Sequence, residues 1–183
     1  LREVGGTMRA SSPTEALTGL PTGAGGSGLA GSERSYRESA AAAAAPATDG
    51  ALSESVPLFS AAEKANVNGY IVTSGYRSAE KQQEIYEQSG QGLANRPGYS
   101  EHQTGLAFDV TTRYDSGGFQ DTEQYKWLVA HCAEYGFIIR YQEDKEDITG
   151  FLAECWHIRY VGLPHSTEMR DRNLCLEEYL GEA

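Results

Sequence analysis

The stretch Ser100-Glu101-His102-Gln103-Thr104-Gly105-Leu106-Ala107-Phe108-Asp109-Val110 decides how this chain folds. From Leu106 to Thr111 the residues alternate with the two-residue period of a strand. Leu106, Phe108 and Val110 face one way, and Ala107, Asp109 and Thr111 face the other. A carboxylate on such a strand is costly unless it is paired or coordinates a metal. Gly105 lets the chain turn just before the strand, so His102 and Asp109 can converge. Imidazole nitrogen and carboxylate oxygen are both good zinc ligands. A surface histidine beside a loop-capping aspartate is the other reading that this spacing allows.

Working outward, Leu52, Val56, Leu58, Phe59 and Ala62 trace an amphipathic helix with Pro57 near its first turn, where proline is tolerated. Tyr70-Ile71-Val72-Thr73 is β-branched and aromatic, hence a strand. Ser78 can cap a polar helix over Ala79 to Gln88, and a loop rich in breakers follows from Ser89 to Ser100. Downstream, Asp121 or Thr122 opens a helix through Tyr135, and Gly136 stands where a C′ glycine belongs. Phe137 to Tyr141 and His157 to Val161 are further strands, and Cys175 to Leu180 a short helix. This order predicts an α+β domain over 51–183, with a small central antiparallel sheet flanked by helices. Residues 1–50 differ: they are dense in Gly, Ala and Ser, with an alanine run from Ala40 to Ala45. They bury too little apolar surface to offset chain ordering and read as a flexible arm or linker.

Two other segments are hard to explain as core. In Glu154-Cys155-Trp156-His157, His157 opens a strand and offers a third metal ligand. Three protein ligands leave a position for water, the mark of a catalytic site. Glu154 is expected in a loop or turn. Along one strand its odd separation from His157 would point the two apart, so a bend is needed to bring them together, and Glu154 could then serve as general base and acid. In Ser74-Gly75-Tyr76-Arg77-Ser78, Arg77 could stabilise a developing oxyanion or hold a substrate carboxylate bidentately. Trp156 reads as packing or as a wall of the site. His131 and His165 read as structural, and Glu143-Asp144-Lys145-Glu146-Asp147 as a solvated charged loop.

The net charge of −11 argues against a nucleic-acid partner, which needs clustered Lys and Arg. No run approaches the ~18 apolar residues of a membrane span. Arg2, Glu3 and Arg9 are followed by no apolar run of the secretory kind, and what precedes Leu1 stays open. Cys132, Cys155 and Cys175 are odd in number, which excludes a closed disulfide framework, and show no C-x-x-C spacing to support a cysteine zinc site.

Together, SGYRS (74–78), SEHQTGLAFDV (100–110) and ECWHIRYVG (154–162) resemble the signatures of D-alanyl-D-alanine carboxypeptidases and dipeptidases of the VanY and VanX type. These are zinc enzymes in a superfamily with lysostaphin and hedgehog. YGFIIRY (135–141), EDKEDITG (143–150) and LEEYL (176–180) are similar to the VanY-type and bifunctional branches. The resemblance covers about Leu52 to Leu180. It implies one Zn2+ per chain on His102, Asp109 and His157, Glu154 as catalytic acid/base, and Arg77 as substrate and transition-state contact. It also implies that Gln82 and Ser100 line the pocket for the terminal D-residue. The implied partner is a peptidoglycan stem peptide ending in D-Ala. A free dipeptide, an L,D-tetrapeptide, a cross-link, or a non-catalytic zinc-containing wall-binding role are the alternatives. The cell envelope, at the outer face of the cytoplasmic membrane, is the implied location, with the cytoplasm as the alternative. Cys155 departs from the family pattern.

Overall fold

The computed structural model describes residues 50–89, 94–113 and 117–181. The expected arm and its alanine run lie outside these residues, apart from Gly50. The described chain runs α1 (Gly50–Glu54), α2 (Val56–Lys64), β1 (Tyr70–Ser74), α3 (Ala79–Ser89), β2 (Ala107–Thr112), α4 (Glu123–His131), β3 (Phe137–Tyr141), α5 (Glu146–Thr149), β4 (Glu154–Tyr160), α6 (His165–Arg172) and α7 (Leu176–Leu180). The strands form one four-stranded sheet in the order β1-β2-β4-β3, antiparallel throughout. The α+β expectation therefore stands.

The alternation in β2 sorts the two faces of the sheet. Phe108 and Val110 are fully buried, and with Leu58, Leu128, Phe137, Ile139 and Ile158 they form the main core beneath α1, α2 and α4. Phe108 and Phe137 meet edge to face at 5.8 Å, the geometry that aromatic quadrupoles favour. The opposite face carries Asp109, His157 and Arg159. Ile138, on that same face, packs with Met169 of α6 and Leu176 of α7 in a smaller cluster.

Local chemistry explains most boundaries. The single helix expected from Leu52 divides at Ser55, whose hydroxyl donates back to the Leu52 carbonyl at 2.8 Å, and Pro57 falls in the first turn of α2. Thr122 caps α4, accepting from the Tyr125 amide at 3.2 Å. Gly136 ends the following 3-10 turn at φ 86°. A Cβ there would stand 2.7 Å from the Tyr160 ring, so both backbone and packing demand glycine.

Other readings of the sequence also need correction. β4 begins at Glu154 rather than His157, so Glu154 belongs to a strand and not to a loop. The charged run 143–147 is not simply solvated: it forms a 3-10 turn and the start of α5. Lys145 within it is buried against Glu178 at 3.0 Å. Helix α6 was unforeseen because its sequence, HSTEMRDR, carries no apolar stripe. Met169 and Ser166 alone are buried.

All three cysteines are free thiols. Cys132 and Cys175 are buried, and desolvation pushes their thiols up to about 12 and about 11. Cys155 is only half-buried. Alkylation of the folded chain at pH 8 should therefore modify Cys155 alone, because the reactive species is the thiolate. Mass mapping checks this, with all three thiols reacting after denaturation.

Candidate active site

Register builds the site. Asp109 of β2 stands opposite Ser74 of β1 and opposite His157 of β4. Directly opposed residues of antiparallel strands project from the same face, so the three make a row across the sheet. His102 reaches the row from a 3-10 turn over Glu101–Thr104, which Gly105 ends in the left-handed region at φ 71°. The Arg77 amide donates to the His102 carbonyl at 3.1 Å and anchors this turn to the loop after β1.

The result is a cluster in which His102, Asp109 and His157 each present one ligand atom within 4.8 Å of the others. Asp109 Oδ1 lies 3.3 Å from His102 Nε2 and 3.0 Å from His157 Nδ1. The other nitrogen of each ring is committed elsewhere. His102 Nδ1 lies 2.9 Å from the Gly75 carbonyl, which can only accept. His157 Nε2 lies 3.3 Å from Glu101 Oε2, again an acceptor. In neutral rings both protons sit on those outer nitrogens, and the two inner nitrogens and Asp109 Oδ1 meet as lone pair against lone pair. Only extra protons or a cation resolve such a meeting. An N2O donor set at this spacing suits zinc.

Electrostatics follow the same geometry. Burial raises Asp109, but hydrogen bonds from both imidazoles hold its carboxyl well below the usual carboxylate range. Burial lowers His157, yet Asp109 and Glu101 on its two nitrogens lift the ring to about 9. Burial raises Glu101, and Arg140 and Arg159 beside it reverse that and hold it well below the usual range. Glu154 moves the other way, raised chiefly by burial and further by Asp109 and Glu101, against the pull of His157 and Arg77.

Glu154 joins the site through a bulge. Ile139 of β3 pairs with Ile158, but Tyr141, two residues on, pairs with Glu154, four residues back along β4. The extra residues bend the strand and supply the bend that the Glu154–His157 spacing required. Glu154 Oε2 comes within 3.8 Å of His157 Nδ1. Arg77 is held by Ser74 Oγ at 3.0 Å, Gln82 Oε1 at 3.1 Å and Asp109 Oδ2 at 3.2 Å. Gln82 is buried and acts on Arg77, donating onward to the Asn95 carbonyl. Ser100 is buried at the head of the 3-10 turn. Trp156 is 42% exposed and belongs to the surface. His131 packs on Trp127 and His165 bonds Tyr179, so neither belongs to the cluster.

Sequence reasoning passed over Glu101 and Arg140. Both are fully buried, and Arg140 Nε donates to Glu101 Oε1 at 2.8 Å. The available signal was a lone arginine in the apolar strand FIIRY, which must find a buried carboxylate. If the cluster holds a cation, Asp109→Ala should weaken zinc binding by about 100-fold or more while α-helical content is kept. That magnitude exceeds the roughly 10–100-fold cost of losing a supporting residue. Chelator competition and far-UV circular dichroism measure the two quantities.

Comparison with known proteins points to one family. The family model of VanY, D-alanyl-D-alanine carboxypeptidase, matches residues 47–163. A D-alanyl-D-alanine carboxypeptidase of Enterococcus faecium is 44% identical over 119 residues, covering 65% of this chain and 39% of its own length. The chain thus spans less than half of that relative. The LD-carboxypeptidase LdcB has a structure similar at TM-score 0.65 and 38% identity, covering 73% of this chain and 67% of its own. A vancomycin-resistance D,D-pentapeptidase VanY, in complex with Zn(II), is similar at TM-score 0.61 and 40% identity, covering 69% of this chain and 79% of its own. With the family model spanning 47–163 and the His102, Asp109 and His157 cluster inside it, this chain belongs to the VanY family of D-alanyl-D-alanine carboxypeptidases.

Proposed function

We propose that the chain is a zinc-dependent D,D-carboxypeptidase that hydrolyses the terminal D-Ala–D-Ala bond of peptidoglycan stem peptides. The observation that carries this is the meeting of His102 Nε2, His157 Nδ1 and Asp109 Oδ1 with the Glu154 carboxylate beside them. Those three atoms would hold one zinc ion. When bound, zinc acts as a Lewis acid on the scissile carbonyl and acidifies a water.

The chain's own residues supply the rest. Glu154, with its carboxyl raised by burial, takes a proton from the attacking water and delivers it to the departing D-Ala amine. Arg77, fixed by Ser74, Gln82 and Asp109, offers a preorganised cation to the oxyanion or to the substrate's terminal carboxylate, and both uses need its rigid hold. Gln82 serves by orienting Arg77, and Ser100 by shaping the wall beside His102. No described helix is long and apolar enough to cross a membrane. A wall-peptide substrate supports work in the cell envelope, at the outer face of the cytoplasmic membrane, over the cytoplasm as the alternative.

The likeness to LdcB supports a second reading, L,D-cleavage of a tetrapeptide stem by the same groups. The bifunctional dipeptidase and carboxypeptidase VanXYC of Enterococcus gallinarum, 40% identical over 122 residues, supports a third, cleavage of free D-Ala-D-Ala. D-alanine release from a muramyl pentapeptide, a tetrapeptide and the free dipeptide separates them. The proposal expects the pentapeptide to be cut fastest, with loss on chelation and recovery on zinc addition. Faster tetrapeptide cleavage would replace it with the L,D reading. Glu154→Ala should keep one zinc per chain and lose roughly 100–10,000-fold in kcat, the range for general acid-base catalysis. Activity near the parent level would remove Glu154 from this role.

A further inference from the structure

The segment after the family-matched region reaches the metal cluster through a buried relay of charge. Glu177 of α7 lies beyond residue 163, where the family match ends. Its carboxylate takes both terminal nitrogens of Arg140, Nη1 at 2.9 Å and Nη2 at 2.6 Å. The remaining donor, Arg140 Nε, goes to Glu101 Oε1. The second oxygen of Glu101 receives His157 Nε2. Arg140, Glu101 and Glu177 side chains are at most 4% exposed. Every link is a hydrogen bond between groups that water cannot replace.

This connectivity has a consequence for His157. An imidazole on a strand can present either nitrogen, and only the Nδ1 lone pair faces Asp109 Oδ1 and His102. A carboxylate fixed opposite Nε2 selects the tautomer with the proton there. Glu101 would swing if free. Arg140 pins it, and Arg140 is in turn pinned at both ends by a planar bidentate pair, the arrangement in which guanidinium geometry is most restrictive. Partners of this kind, beyond the ligands themselves, orient a metal-bound histidine and raise its basicity.

We infer that Glu177, Arg140 and Glu101 are positioning residues of the metal centre, which makes helix α7 a functional part of the site rather than a terminal cap. The inference rests on the zinc reading proposed above. Glu178 provides an internal control. It lies on the same helix, accepts from the Cys175 amide at 2.8 Å and pairs with Lys145, but it is not linked to Arg140.

The test measures zinc affinity of the full chain by competition with a chromophoric chelator for the parent, Glu177→Gln, Glu101→Gln, the double variant and Glu178→Gln. Thermal unfolding of each metal-free protein is followed in parallel. The expected result is roughly 10-fold weaker zinc binding for Glu177→Gln, a similar or larger loss for Glu101→Gln, and a double variant no weaker than the worse single one. Glu178→Gln should lower the unfolding temperature yet leave affinity within about twofold. Long-range 1H–15N spectra of the zinc-loaded chain should show His157 protonated on Nε2 in the parent and a changed Nε2 signal in Glu177→Gln. Equal affinity for Glu177→Gln and the parent, or equal losses in Glu177→Gln and Glu178→Gln, would overturn the inference while leaving the zinc reading intact. Failure of the parent to bind zinc would overturn both.

Discussion

Everything in the site depends on one cross-strand pairing, Asp109 of β2 against His157 of β4. A slip of one residue in either strand would send one of the two side chains into the apolar core. The register is held by the opposite face, where Phe108 stands against Ile158 and both are fully buried. The hydrophobic alternation that folds the sheet therefore also aligns the donors, and core packing and chemistry are two faces of the same strand pair.

The polar face is more costly to build. Arg140, Glu101, Glu177, Arg159 and His157 are all nearly removed from water, and buried ion pairs rarely exceed well-packed apolar residues in stability. Removing one partner is nonetheless expensive, about 3–5 kcal/mol, because a buried charge is left behind. Such a network is better understood as specifying geometry than as adding stability. It fixes one rotamer for each member, and the chain of contacts ends on the ring that faces Asp109. Arg77 is fixed in the same manner on the other side of Asp109, by Ser74 and Gln82. The carboxylate at the centre is thus oriented from two directions.

Much of this was legible in the residues themselves. The alternation around Asp109, the turn at Gly105, the cap at Thr122 and the glycine at Gly136 are local signals, and local physics reproduces them. His102, Asp109, His157 and Glu154 stood out because polar, metal-binding types interrupt otherwise apolar or turn-rich stretches. The bulge in β4 was not legible, since it is a property of pairing with β3 and leaves no mark on ECWHIRY taken alone. Glu101 was hidden by its neighbour His102; its partner Arg140 lies 39 residues away, and Arg140's own partner Glu177 a further 37. Helix α6 was invisible because its few buried side chains are decided by what α7 and β3 bring to it.

Zinc K-edge absorption spectroscopy of the full chain, loaded with one equivalent of zinc, would show whether two imidazoles and one carboxylate, with no sulfur, hold the ion on this sheet. The expected result is a shell of nitrogen and oxygen at about 2.0–2.1 Å with the outer scattering of two imidazoles. A sulfur shell at about 2.3 Å, which would bring a cysteine such as Cys155 into coordination, or a shell without imidazole, would contradict it.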